Sequence, residues 1–233
     1  MALRERDDEV TARRDAQRRT GNPIIQLVVL DPATGANSWS VALPDTGGEG
    51  SLVASVDGTI YATTEASGIF AVSSSTHAVL WNVPVTVREF ALAERAQRLY
   101  FVAAGGGGKL KVGWMATSGS APVFGAPFAV DAFSSLHPVE LSTIALGENG
   151  WVYFSAESRF FGNDTTNDTR WDVATGVALN QPAPPVVGGG GTVYLAAYRS
   201  DGGCAMAFTR TGALFWDKRL TPWTLHGRSL PVA

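Results

Sequence analysis

The densest group of side chains with metal-binding chemistry lies in FGNDTTNDTRWD, residues 161–172. Asn163, Asp164, Asn167, Asp168 and Asp172 all carry oxygen donors, the ligand type that a hard cation such as calcium takes. Their spacing does not follow the EF-hand loop, and a run of Asn, Asp and Thr between apolar stretches is also the composition of an extended turn. The segment therefore reads as a turn, with these five residues as the metal candidates. It also holds two Asn-x-Thr patterns, at Asn163 and Asn167, which become glycan acceptors only in a glycosylating secretory pathway.

The remaining reactive residues do not assemble. His77, His137 and His226 are scattered, with no pair at metal-ligand spacing. Cys204 is the single cysteine, which excludes an intrachain disulfide framework and a multi-cysteine zinc site, and it reads as a packed mid-strand residue. The glycine runs at 105–108 and 188–191 lack the Gly-Lys-Ser/Thr ending of a phosphate cradle and read as turns. A nucleophile with a base and an orienting acid cannot be composed from these parts, so no residue is assigned to catalysis.

Composition narrows the partners. With 18 Lys+Arg against 21 Asp+Glu the chain has a net charge of -3, which provides no basic footprint for nucleic acid or an anionic membrane surface. No apolar run approaches the roughly 18 residues of a membrane span. Charge is uneven along the chain: Met1 to Arg19 holds Arg4, Glu5, Arg6, Asp7, Asp8, Glu9, Arg13, Arg14, Asp15, Arg18 and Arg19. That stretch has no apolar segment of signal-peptide length and almost no face to bury, so residues 1–23 read as a frayed helix or charged arm.

Beyond it the chain is built from repeats. The phrase LDPATGANSW (30–39) returns as AVSSSTHAVLW (71–81), WMATSGSAPVF (114–124), RWDVATGVALN (170–180) and MAFTRTGALFW (206–216). A second phrase keeps step with it: GTIY (58–61), RLY (98–100), GWVY (150–153) and GTVY (191–194). Within each period the apolar residues alternate over short stretches broken by Gly, Ser, Asp and Asn, which predicts strands and no helical stripe. In the clearest period the strands fall at about 51–56, 59–64, 68–73 and 78–85. Four short strands per roughly 40 residues is the arithmetic of a propeller blade. Further blades are expected at about 89–130, 141–182 and 184–220, giving four whole blades.

In this arrangement the Thr-Gly sits in the tight turn between third and fourth strands, and the Trp that follows opens the outer strand and covers a neighbouring blade. Aligned on that phrase, the docking set is Asp31, Thr34, Gly35, Trp39, Thr76, Trp81, Asp172, Thr175, Gly176, Thr211, Gly212 and Trp216. Val123 or Phe124, and Asn180, stand in the Trp slot of the other two blades. Trp114, Trp151 and Trp171 read as packing between blades, and Trp223 as a candidate partner contact.

The pattern Ala-x-Asp-x-x-Thr-Gly-x-x-x-Trp, following Gly-Thr-Val-Tyr, resembles the repeat of the pyrroloquinoline quinone (PQQ)-like β-propellers over residues 24–233. Asp31, Thr34, Gly35 and Trp39 match it, as do Asp172, Thr175 and Gly176, while Ser73, His77 and Phe208 depart from it. The resemblance implies an all-β propeller whose motif residues dock blades together. It also implies a bacterial envelope protein acting by interaction or scaffolding, with no cofactor. A remnant or subunit of a PQQ-dependent quinoprotein oxidoreductase, with PQQ and calcium, and a polysaccharide-binding propeller are the alternatives. Quinoproteins of that kind hold PQQ against adjacent cysteines, which this chain lacks.

Residues 24–43 read as the last two strands of a blade, and LHGRSLPVA near the C-terminus as a first strand, together part of a fifth blade. Family propellers usually have about seven or eight blades, so the resemblance implies either a piece of a larger ring or a small ring closed by a composite blade. An open arc predicts self-association or pairing with another protein through its sheet edges.

Overall fold

The computed structural model describes residues 25–43, 50–64, 68–104, 109–126, 128–129, 141–156, 158–175, 184–199 and 202–220. The charged arm, His137, Gly176, Asn180, Trp223 and His226 lie outside the described residues. Strands dominate, with three single-turn 3-10 segments, at Glu94–Ala96, Glu148–Gly150 and Gly189–Gly191.

Five antiparallel sheets follow one another along the chain. The first pairs β1 (Ile25–Leu30) with β2 (Asn37–Leu43). The second orders β3 (Leu52–Ala54), β4 (Thr59–Thr64), β5 (Gly68–Ser73) and β6 (Val79–Val83). The third runs β7 (Val87–Ala93), β8 (Arg98–Ala104), β9 (Lys109–Ala116) and β10 (Val123–Phe124), with β11 (Phe128–Ala129) also beside β9. The fourth holds β12 (Ala145–Leu146), β13 (Trp151–Ala156), β14 (Arg159–Asp164) and β15 (Thr169–Ala174). The fifth holds β16 (Val186–Val187), β17 (Val193–Arg199), β18 (Gly202–Phe208) and β19 (Leu214–Arg219). Each four-stranded run is a meander in chain order, the make-up of a propeller blade.

The chain divides into two compact units, one of Met1–Ala104 with Gly113–Val123 and one of Gly105–Val112 with Phe124–Ala233. In the first, the middle strands of the second sheet are buried along their whole length. The pleat explains why: alternate side chains leave opposite faces, and both faces are covered. Ile60, Ala62, Phe70 and Val72 pack with Leu27 and Leu43 of the first sheet. Tyr61, Ile69 and Ala71 point the other way, into a cluster with Val87, Phe90, Leu99, Phe101 and Met115. The outer strand β6 alternates half-buried and exposed residues. In the second unit Trp151, Tyr153 and Phe160 of the fourth sheet pack with Val193, Leu195, Cys204, Met206 and Phe208 of the fifth. Cys204 is buried in that cluster, as its neighbours in sequence suggested.

The turns joining the last two strands share one construction with local substitutions. In the first sheet Asp31 accepts hydrogen bonds at Oδ1 from the Ala33 and Thr34 amides (2.9 and 2.8 Å) and from the Thr34 hydroxyl (2.9 Å). These donors hold the Asp31 carboxyl below its ordinary range, the Thr34 amide first. Gly35 then takes φ +69. In the second sheet Ser73 Oγ accepts from the Ser75 and Thr76 amides (3.3 and 3.1 Å) and His77 takes φ +55. In the fifth, Thr209 replaces the aspartate, its Oγ1 accepting from the Ala213 amide at 2.9 Å and lying 3.1 Å from the Thr211 hydroxyl, and Gly212 takes φ +89.

The fourth sheet departs from the alignment made on sequence. Its turn is not DVATG but DTTND: Asp164 Oδ1 accepts from the Thr166 and Asn167 amides (2.9 and 3.3 Å), and Asp168 takes the left-handed position at φ +50. Asp172 lies in the outer strand instead, where it bridges Arg159 across the ladder. Thr175 ends that strand, donating from both its amide and its hydroxyl to the Ser158 carbonyl (2.8 Å each). Asp, like Asn, tolerates the left-handed region because its short polar side chain bonds locally, so a Gly is not required there. With Asp168 as the marker, the irregular steps of 57 (176 − 119) and 36 (212 − 176) become 49 (168 − 119) and 44 (212 − 168).

Candidate functional site

Two features of the described residues concentrate chemistry or contact: the seams where Trp residues cover turns, and a groove beside β1. The seams account for the repeat phrase. Trp39 stacks on His77, the left-handed residue of the next sheet's turn, with ring centroids 4.5 Å apart and planes 14° from parallel. Trp81 lies over the following turn, where a Cβ on Gly119 would come within 2.9 Å of its ring. Trp171 lies over the turn of the fifth sheet, where a Cβ on Gly212 would come within 2.5 Å of its ring. Trp171 also donates its Nε1–H to the Arg210 carbonyl at 3.0 Å. One geometry therefore recurs: the outer-strand Trp of one sheet caps the left-handed turn of the next.

Each Trp is supported from behind by a row across its own sheet. Tyr61, Ala71 and Trp81 are register partners, as are Tyr153, Gly162 and Trp171, and Tyr194, Ala207 and Trp216. The Tyr and Trp rings meet over the small middle residue at centroid distances of 5.9, 6.1 and 6.2 Å. Cross-strand aromatic pairs of this kind add to sheet stability beyond their buried area.

These rows show where the sequence assignments fall. Trp39 and Trp81 occupy the slot assigned to them. In the fourth sheet the slot belongs to Trp171 and not to Asn180. The spacing held a signal for this: Tyr61 to Trp81 and Tyr194 to Trp216 are 20 and 22 residues, Tyr153 to Trp171 is 18, and Tyr153 to Asn180 is 27. Trp216 has its Tyr194 partner but is 39% exposed. Trp151 is buried, and Trp114 carries the Arg98 guanidinium 4.0 Å from its ring centroid.

The five oxygen-donor candidates do not converge. Asn163 is buried in β14, and Asp164 Oδ2 accepts from Asn167 Nδ2 at 2.8 Å. Asp168 forms the turn, and Asp172 is engaged by Arg159. Among the described residues no group of three or more His, Cys, Asp or Glu side chains is placed to hold a metal ion. The glycine run before β17 is a turn, closed by Gly188 N–H to the Thr192 carbonyl at 2.8 Å.

The groove was not foreseen. Its walls are Ile25–Val28 of β1, Leu43, the chain at 50–52 and Ala62 with Thr63 of β4, around about 120 Å³. Gly50 allows the close approach on one wall, because a Cβ there would run into the Thr63 carbonyl. Ser51 is fixed by its amide to Thr63 Oγ1 (3.0 Å) and by the Thr63 amide to its carbonyl (2.9 Å). Its hydroxyl reaches Glu89 Oε2 of the third sheet at 3.5 Å. Burial pushes the Glu89 carboxyl up from 4.5 to about 7, opposed by the Ser51 hydroxyl. A second carboxylate ties the same two sheets: Glu94 accepts from the Val56 amide at 2.8 Å and the Ser55 hydroxyl at 3.2 Å.

Glu89 makes a pH-dependent prediction. Its folded-state value lies above its unfolded one, so its favourable contribution is complete below about pH 4.5 and is lost as pH rises through about 7. The full shift converts to about 3 kcal/mol, and partial exposure with solvent screening reduces this to about 1–2 kcal/mol. Glu89→Gln is expected to raise stability by that amount at pH 8 and to leave it unchanged at pH 4, measured by urea unfolding at both values. An equal gain at both would remove ionisation as the cause.

The fold and these seams define a β-propeller repeat protein. Residues 26–119, less than half of the chain, match the family model described as outer membrane protein assembly factor BamB, a PQQ-like repeat model. The repeat is thus PQQ-like, as its motif residues suggested. Among solved structures, BamB from Moraxella catarrhalis aligns at 21% identity and TM-score 0.55, over 84% of this chain and 57% of that one. A streptogramin B lyase aligns at 19% identity and TM-score 0.55, over 78% and 57%. Selenomethionine-substituted virginiamycin B lyase from Staphylococcus aureus aligns at 12% identity and TM-score 0.59, over 86% and 67%. At these identities the likeness is one of fold. The chain spans less than two-thirds of the length of the first two structures. A search of the curated proteins returned no match. No helix among the described residues is long and apolar enough to cross a membrane.

Proposed function

We propose that this chain is a non-enzymatic interaction or scaffold module of the bacterial cell envelope, built on PQQ-like blades. The observation that carries the reading is β19, an outer strand whose six residues are all exposed. Leu214, Phe215 and Trp216 are 53%, 61% and 39% exposed there, a contiguous apolar patch of the kind that marks contact surfaces. Large aromatics are the side chains on which interface energy concentrates. The match to the BamB model supports the envelope address.

A photo-crosslinking residue at position 215 is expected to yield a polypeptide adduct in the envelope fraction of a bacterial host. This reading requires no cofactor. Equilibrium dialysis showing micromolar binding of PQQ with calcium would replace it with the quinoprotein alternative, and ligand-dependent Trp fluorescence on adding polysaccharide would replace it with the polymer-binding one.

A further inference from the structure

The groove and the cross-strand rows carry one inference beyond a general interaction role. In each of the other four sheets the strand that precedes the outer strand has a partner on both sides. For β5, β14 and β18 the inner partners are β4, β13 and β17, which place Tyr61, Tyr153 and Tyr194 opposite Ala71, Gly162 and Ala207. The equivalent strand in the first sheet is β1, with Val29 opposite Trp39. An antiparallel pairing uses only half of a strand's backbone donors and acceptors, so the other half of β1 faces away from β2 and offers a template for a further strand. Along that strand, over Ile25–Val28, runs the groove, with apolar Leu27, Leu43 and Leu52 on its walls and Ser51 as a polar contact.

We propose that this edge is an acceptor for an added β-strand supplied by another polypeptide, antiparallel to β1, apolar at alternate positions and carrying an aromatic side chain opposite Val29. The occupant's chemistry follows from the three completed rows, in which a Tyr fills that place and meets the outer-strand Trp. Backbone pairing provides the affinity and the aromatic position the selectivity, as in other recognition by strand addition. The proposal names one surface of the interaction module and rests on that reading.

A fluorescein-labelled peptide with the sequence of residues 148–158, ENGWVYFSAES, tests it by anisotropy on the whole 233-residue chain. Saturable binding is expected, weakened about tenfold or more when the peptide's Tyr is replaced by Ser. Hydrogen exchange should show the amides of Ile25–Leu30 gaining protection on binding, which needs no variant that could misfold. Absence of binding, or binding indifferent to the Tyr, overturns the proposal. So does self-association that protects those amides before peptide is added, which assigns the edge to a second copy. Failure here leaves the interaction reading standing, because that reading fails separately, on cofactor dialysis.

Discussion

Trp171→Ala is expected to lower stability by about 3–5 kcal/mol, the range for removing a large aromatic from a packed site. Three kinds of contact disappear together. The ring lies 6.1, 5.3 and 6.5 Å, centroid to centroid, from Tyr153, Phe160 and Phe208, which are all buried. Its face covers the turn at Gly212, and its Nε1–H is spent on the Arg210 carbonyl. Loss of the side chain opens a void inside the cluster that joins the fourth and fifth sheets. The neighbours cannot close it, because their rows are pinned by strand register on both sides. Trp171→Phe keeps an aromatic ring and gives up the hydrogen bond, so it should cost about 1 kcal/mol for the bond plus a smaller void. Trp216→Ala is the internal comparison: the same row position, but 39% exposed on the outer strand, where truncation should cost far less. Urea midpoints of the three variants test this, and equal losses for Trp171→Ala and Trp216→Ala would sink the covering role assigned to Trp171.

The second large effect is expected at Gly68. It opens β5 at φ +104, a conformation that side-chain-bearing residues rarely adopt. A Cβ there would run into the Val83 carbonyl and come within 2.7 Å of the Val85 amide nitrogen and 3.0 Å of Pro84 Cα. All three obstacles are backbone, held at the end of the β5–β6 ladder through the Ile69 to Val83 pairing, so none can swing away as a side-chain tip would. Backbone strain and overpacking each cost about 1–3 kcal/mol, and Gly68→Ala should lose about 3 kcal/mol or more. Gly35→Ala separates conformation from crowding. At φ +69 it also sits in the left-handed region, but a Cβ meets nothing within 4 Å, so the loss should stay near 1 kcal/mol. Gly35→Asn should cost less still, since Asp168 adopts the same conformation in the fourth sheet. If Gly68→Ala and Gly35→Ala shift the thermal midpoint equally, crowding by the backbone at Val83–Val85 is not the cause.

The sequence by itself determined that this is a repeat of short strands, where most of them lie, and that the Thr-Gly and Trp phrase joins blades. Those features are local: alternation follows from the pleat, and a turn follows from residues that bond their own backbone. The same locality explains the misassignment in the fourth sheet. DVATG spells the better motif, yet DTTND makes the turn, because Asp168 takes the left-handed position without Gly and Asp164 supplies the cap. Only the ladder register, Gly162 opposite Trp171, decides between the two.

What no local pattern carries is which side chains from distant repeats meet. That Trp39 rests on His77, that the Ser51 hydroxyl reaches a Glu89 pushed up to about 7 by burial, and that β1 presents an edge along a groove all depend on packing between sheets. Glu89 is an ordinary residue in the sequence. Its carboxyl becomes unusual because neighbouring sheets remove water from around it, a term set by tertiary burial and by nothing within reach of its own chain neighbours.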